Sequence, residues 1–252
     1  MSNTFKRLEK KTTLPSDRAR ELEARLTPYM VPDAHNADGK PYLICNLYFD
    51  TEDDHVIRQS VDKPPYKEKL RLRSYGIPTG DSKVYLELKR KLDGVGTKRR
   101  TRLCLSEAET YLETGVHPAG LPYPDEQVLR EIDYYRSRER VEPRVYISYL
   151  RTAYRGLEDP SFRVTFDRDI LARRHDLKLG SGRYGTPLLT EGTTLMEVKF
   201  SGAVPFWFAR LMSEFGLSFH TFSKVGTDFW LNAYARACAE HPDEEHHLRL
   251  IH

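Results

Sequence analysis

Cysteine, net charge and long apolar runs are all scarce in this 252-residue chain. The three cysteines, Cys45, Cys104 and Cys238, are far apart and odd in number. No Cys-x-x-Cys or Cys/His spacing accompanies them, which argues against a zinc site and leaves reduced thiols in a cytoplasmic protein as the expectation. No stretch approaches the ~18 apolar residues of a membrane span. The opening MSNTFKRLEKK has no apolar signal core. The formal net charge is only +3, so bulk charge makes no case for nucleic acid, and any basic site has to be local. Also missing are a GxxxxGK[ST] loop, a GxGxxG turn after a strand, and any Ser/His/Asp or Cys/His set. His35, His55, His117, His175 and His220 stand alone.

What is present is an alternation of strand-like and helix-like stretches. LPSDRARELEARLTPYM puts Ala19, Leu22 and Leu26 on one helical face. YLICNLYFDT reads as a strand. KEKLRLRSYG and KVYLELKRKL flank the turn-forming IPTGDS and read as a hairpin or meander, and DGVG turns into a further strand, TKRRTRLCL. Ser106 with Glu109 reads as a capping box opening a helix that stops at Gly115. DEQVLREIDYYRSRER follows as a longer helix. RVYISYLRTAYRG, FRVTFDRDILAR and TLMEVKF are strand-like, while PFWFARLMSEFG and GTDFWLNAYARACAE have apolar helical faces. Phe206, Trp207 and Phe208 are expected in the core. The sum is an α+β protein with about eight antiparallel strands and helices packed around them, a single domain over 1–240 and a tail over 241–252.

A strand sends alternate side chains to opposite faces. Lys67, Lys69, Arg71 and Arg73 therefore share one face, opposite Leu70 and Leu72. Glu87, Lys89 and Lys91 share a face, as do Lys98, Arg100 and Arg102. Arg163, Thr165 and Asp167 oppose Phe162, Val164 and Phe166. Glu197 and Lys199 oppose Met196, Val198 and Phe200, Arg7, Glu9 and Lys11 fall together, and Tyr149 shares a face with Arg151. A solvated outer face explains any one of these strands. Repetition of one sign across nearly all of them is different, because like charges on neighbouring strands repel. If the sheet closes, this face becomes its interior, and a chain of phosphates is the anion that suits it. Carboxylates among the cations would hold a divalent metal through oxygen. Aromatic residues interleaved with the cations, the mark of a single-stranded nucleic-acid groove, are not evident, so no nucleic-acid partner is expected.

RLEKK, LYFDT, KLRLRSYG, YLELKRK with TKRR, YLRTAY, RVTFD, LMEVKF and FSKVG occur in this order between Phe5 and Lys224. As a set they resemble the catalytic domain of the vacuolar transporter chaperone (VTC) polyphosphate polymerases, within the triphosphate tunnel metalloenzymes. The resemblance implies a closed eight-stranded antiparallel β-barrel with helices outside. It implies transfer of the γ-phosphate of ATP to a growing polyphosphate chain, with Mn²⁺ or Mg²⁺ bound in the tunnel. By the same resemblance the catalytic and phosphate-binding bases are Lys11, Arg71, Arg73, Lys89, Lys98, Arg100, Arg151, Arg163, Lys199 and Lys224. Glu197, with Glu9, is the metal ligand, and Glu87 is a weaker carboxylate candidate. Hydrolytic relatives open with ExExK, whereas here Arg7 occupies the first glutamate position, which favours transfer over hydrolysis. A metal-dependent triphosphatase and a non-catalytic module binding polyphosphate or inositol phosphates remain open alternatives. This sequence shows neither the membrane channel nor the phosphate sensor tethered to some family members, so a lone soluble enzyme, or a membrane partner acting in trans, is expected. Lys67, Lys69 and Lys91 are left as guides at an entrance.

Overall fold

The computed structural model describes residues 7–36, 38–62, 64–93 and 95–240; the tail expected over 241–252 lies outside them. The strands are β1 (Arg7–Pro15), β2 (Met30–Pro32), β3 (Tyr42–Asp50), β4 (Tyr66–Tyr75), β5 (Lys83–Leu92), β6 (Val95–Cys104), β7 (Glu142–Gly156), β8 (Arg163–Arg173), β9 (Thr186–Pro187) and β10 (Thr193–Ser201). The helices are α1 (Ser16–Leu26), α2 (His55–Val61), α3 (Leu105–Thr114), α4 (Tyr123–Arg138), α5 (Phe206–Glu214) and α6 (Lys224–Glu240). One antiparallel sheet runs in the order β1-β10-β8-β7-β3-β4-β5-β6, with the short β2 on β7 and β9 on β8. No described helix is long and apolar enough to cross a membrane.

Among the described residues no pairing joins β6 back to β1, so the sheet is not the closed barrel expected from the sequence. The free edge of β1 is already occupied: the His220 N–H donates to the Lys11 carbonyl at 2.8 Å and bridges the two segments. The sheet nevertheless curls. Lys89 on β5 lies close enough to Glu9 on β1 and Lys199 on β10 to act on their ionisation.

The outer face is covered by two apolar layers. Leu22, Leu26, Phe208 and Leu211 of α1 and α5 bury Val164, Phe166, Met196 and Val198. Ala108, Tyr111, Leu129 and Ile132 of α3 and α4 bury Leu70, Leu72, Leu86 and Leu88. A third cluster lies on the inner face, where Ile57 of α2 and Val225 and Phe229 of α6 cover Ile44, Ile147, Ile170 and Leu195. A bulge makes this possible. Asp169 adopts a left-handed backbone (φ 49°) where the β7–β8 register slips, and the extra residue flips the parity. β8 therefore presents Asp167 inward and then Ile170 and Ala172.

Local details differ from the sequence expectation in two places. Helix α3 is closed at its start by the Glu107 carboxylate accepting the Cys104 N–H at 2.7 Å, not by Ser106 and Glu109; the Ser106 hydroxyl donates to Gly80 O instead. The Phe206-Trp207-Phe208 triplet does not enter the core together. Phe208 is fully buried and Phe206 is 84% exposed, because successive helical residues point about 100° apart. Phe208→Ala is expected to cost about 3–5 kcal/mol and Phe206→Ala no more than about 0.5 kcal/mol, read as the difference in urea-unfolding free energy.

Candidate functional site

The inner face is built in rungs, because residues paired across strands share a face. Arg71, Glu87 and Arg100 face one another across β4, β5 and β6. The next rung is Lys69, Lys89 and Lys98, three ammonium groups side by side. On the far side of the sheet Lys11 pairs with Glu197 and Glu9 with Lys199, while Arg151 pairs with Asp167.

Glu197 holds the first group together. Lys224 Nζ lies 2.9 Å away, Arg151 Nη2 3.2 Å, Lys11 Nζ 3.6 Å and Lys199 Nζ 3.8 Å. Burial alone would raise its carboxyl, but Lys224, Lys11, Arg151 and Lys199 outweigh it and hold the group well below the usual range. Asp167, fully buried, takes both nitrogens of Arg151 at 2.6 and 2.7 Å and Lys224 at 2.6 Å. Both cations rest on the Tyr149 ring. Lys224 reaches this group from the first turn of α6. That helix is anchored by Asp228, which accepts from Arg174 Nε at 2.8 Å, while Arg174 Nη1 grips Asp54 at the start of α2.

Glu87 organises the second group. It accepts from Arg71 Nε at 2.7 Å and Lys98 Nζ at 3.0 Å. Burial opposes this charge, yet Arg71, Arg73 and Lys98 bring its carboxyl down to about 2. Arg71 also donates to Tyr48 Oη at 3.2 Å. Arg73 is nearly buried but has no carboxylate within ion-pair distance among the described residues; it donates to Asn46 Oδ1 at 2.7 Å and Tyr149 Oη at 3.3 Å.

The site residues expected from the sequence thus meet on one curved face, with one turned aside. Lys11, Arg71, Arg73, Lys98, Arg151, Lys199, Lys224, Glu9 and Glu197 have their partners there. Lys89 is exposed on the same face, and Arg100 lies over the Tyr85 ring at 5.0 Å. Arg163 is bonded to Asp33 at the rim. Asn46, Tyr48 and Lys69 belong to the site but were not among the candidates. Strand β3 is largely buried on both faces, so its parity carried no contrast to reveal Asn46 and Tyr48. Lys69, expected at an entrance, stands in the rung with Lys89 and Lys98. The sequence reading also missed aromatics on the cationic face: Tyr42, Tyr75 and Tyr85 are register neighbours of Arg151, Ile44 and Arg73 respectively. They gather at one end of the cation row rather than alternating along it.

Lys69 and Lys199 each carry an electrostatic cost. Burial, then Lys67 and Lys89, push the Lys69 ammonium down to about 7. Burial brings Lys199 to about 8 against the pull of Glu197 and Glu9. Each group is charged in the unfolded chain up to about 10.4, so between these values the unfolded state binds more protons and stability rises with pH. The melting temperature of wild type relative to Lys69→Met should therefore climb from pH 7 towards pH 10. A constant difference across that window would contradict the assignment.

Solved structures and one family model match the chain. A solved structure described as a candidate adenylate cyclase from Bacillus halodurans superposes with a TM-score of 0.50 at 18% identity, covering 86% of this chain and 95% of that one. A second, a candidate adenylate cyclase from Vibrio parahaemolyticus, gives 0.45 at 11% identity, over 88% and 97% of the two chains. No match is found among the curated proteins. The family model for the VTC domain matches residues 6–228, a span that holds every candidate site residue. The chain belongs to the VTC domain family.

Proposed function

We propose that this protein is a polyphosphate polymerase, moving the γ-phosphate of ATP onto a growing inorganic polyphosphate chain along its inner face. The observation that carries this reading is the rung Lys69–Lys89–Lys98. Among the described residues only Lys98 has a carboxylate within ion-pair distance. Like charges directly opposite on adjacent strands are destabilising, and a run of phosphate oxygens is the counter-charge that relieves them.

Phosphoryl transfer needs alignment and charge stabilisation more than a protein nucleophile. The attacking atom is a terminal phosphate oxygen of the acceptor chain, already ionised; it bonds to the γ-phosphorus of ATP as the bond from that phosphorus to the β,γ-bridging oxygen breaks and ADP leaves. Arg71 and Arg73 are rigidly oriented by Glu87, Asn46 and the Tyr48 and Tyr149 hydroxyls. Their fixed guanidinium forks suit bidentate capture of the donor phosphates. Lys89, Lys98 and Arg100 extend the cationic track on which donor and acceptor lie in line. Lys11, Arg151, Lys199 and Lys224 surround the carboxylate end and meet the charge that develops on the transferred group.

The donor set suits a divalent cation that takes part of its shell from substrate. Among the described residues no three His, Cys, Asp or Glu side chains gather as a cage. Glu9 and Glu197, however, sit diagonally on β1 and β10 with Lys11 and Lys199 between them. Two carboxylates completed by phosphate oxygens and water are a common Mg²⁺ arrangement. Glu197 and Glu9 would hold Mn²⁺ or Mg²⁺, which supplies Lewis-acid polarisation of phosphate oxygens. Asp167 is committed to Arg151 and Lys224.

Incubation with ATP and Mn²⁺ or Mg²⁺, followed by gel separation of products, tests the assignment. Long phosphate chains are expected. Release of free phosphate without polymer would make the protein a triphosphatase, and tight binding without turnover would make it an anion-binding module. Arg73→Lys keeps the charge but loses the planar fork; its kcat should fall by about 10²-fold, the order seen when one preorganised transition-state donor is lost, with the melting temperature nearly unchanged.

A further inference from the structure

The cationic row on β4 does not end in solvent. Two residues beyond Arg73, on the same face, stands Tyr75, and around it the fold assembles rings from separate segments. The His35 ring lies parallel to Tyr75 with centroids 4.5 Å apart. Tyr85 meets Tyr75 edge-on at 5.8 Å. Tyr42 is tilted against both His35 and Tyr75. The Arg100 guanidinium covers Tyr85 at 5.0 Å. The cluster is not sealed into a core: His35 is exposed and Tyr75 is 38% exposed. It also lies at the end of β4 away from α2, which sits over Lys67 at the strand's start, where Lys67 Nζ donates to Ser60 O.

We propose that this cluster is a nucleobase platform, on which the base of the donor nucleotide stacks while its phosphates lie on Arg71 and Arg73. This rests on the nucleoside-triphosphate reading of the same face. Position supports it: at ~3.4 Å per residue, Tyr75 is about 14 Å along β4 from Arg71, the reach of an extended nucleoside triphosphate from its terminal phosphates to its base. Chemistry supports it as well. Half-exposed aromatic faces beside a guanidinium are the surfaces on which bases stack, and a phosphate chain has no use for them. The platform therefore serves the donor and not the acceptor. Polyphosphate, which lacks a base, would be bound by the cations alone.

The two ligand classes separate the hypotheses. Titration calorimetry in metal-free buffer compares a β,γ-imido analogue of ATP with inorganic tripolyphosphate on wild type, Tyr75→Ala, His35→Ala and Tyr75→Phe. Tyr75→Ala and His35→Ala are expected to weaken the ATP analogue about tenfold, equivalent to ~1.4 kcal/mol. Tripolyphosphate should stay within about twofold of wild type, and Tyr75→Phe should retain wild-type affinity for both. Equal losses for the two ligands would reduce the cluster to rim packing. An unchanged affinity for the ATP analogue would place its base elsewhere and leave the phosphate site standing. A wild type that binds neither ligand would overturn the phosphate-handling reading and the platform with it.

Discussion

Lys11, Arg151, Lys199 and Lys224 converge on the single carboxylate of Glu197. Taking charges out of water is expensive unless they are paired and hydrogen-bonded. On this face the pairing is shared among few acids: Glu197, Asp167 and Glu9 at one side of the curved sheet, Glu87 at the other. Everything else on the inner face follows from how those carboxylates are distributed. Where they are dense, the cations are fixed; where they thin out, at Lys69 and Lys89, positive charge is left without compensation. The inner face is thereby rigid around the carboxylates and electrostatically incomplete at Lys69 and Lys89.

The remaining architecture supports that imbalance. Apolar layers under α1, α5, α3 and α4 keep the outer face buried, so the polar parity can only point inward. The left-handed bulge at Asp169 stops the charged surface partway along β8 and gives α6 an apolar floor for Val225 and Phe229. That contact, with the Asp228–Arg174–Asp54 chain, carries Lys224 into the group around Glu197. The same approach of the chain before α6 blocks the free edge of β1. One connection thus completes the cation group and leaves the sheet open.

Much of this was legible from residue order because a strand's period is two. Cations at Lys69, Arg71 and Arg73, and again at Lys89, Lys98 and Arg100, could only share a face if those segments were strands, and the leucines between them gave that face its opposite. Parity failed where contrast was absent. Strand β3 is largely buried on both sides, so Asn46 and Tyr48 looked like core. Tyr75 and Tyr85 passed unnoticed because a tyrosine at a strand end reads equally as packing.

Alternation of charge and leucine determined by itself that a cationic sheet face exists and which side chains belong to it, since side-chain direction along a strand is a local property. Whether that face closes, which cations are neutralised and which are left bare, and where the aromatic rings gather were decided only by the tertiary structure. Those outcomes depend on which strands become neighbours, on the register between them, and on a helix arriving from the far end of the chain. Distances between charges on different strands are not encoded in any one of them.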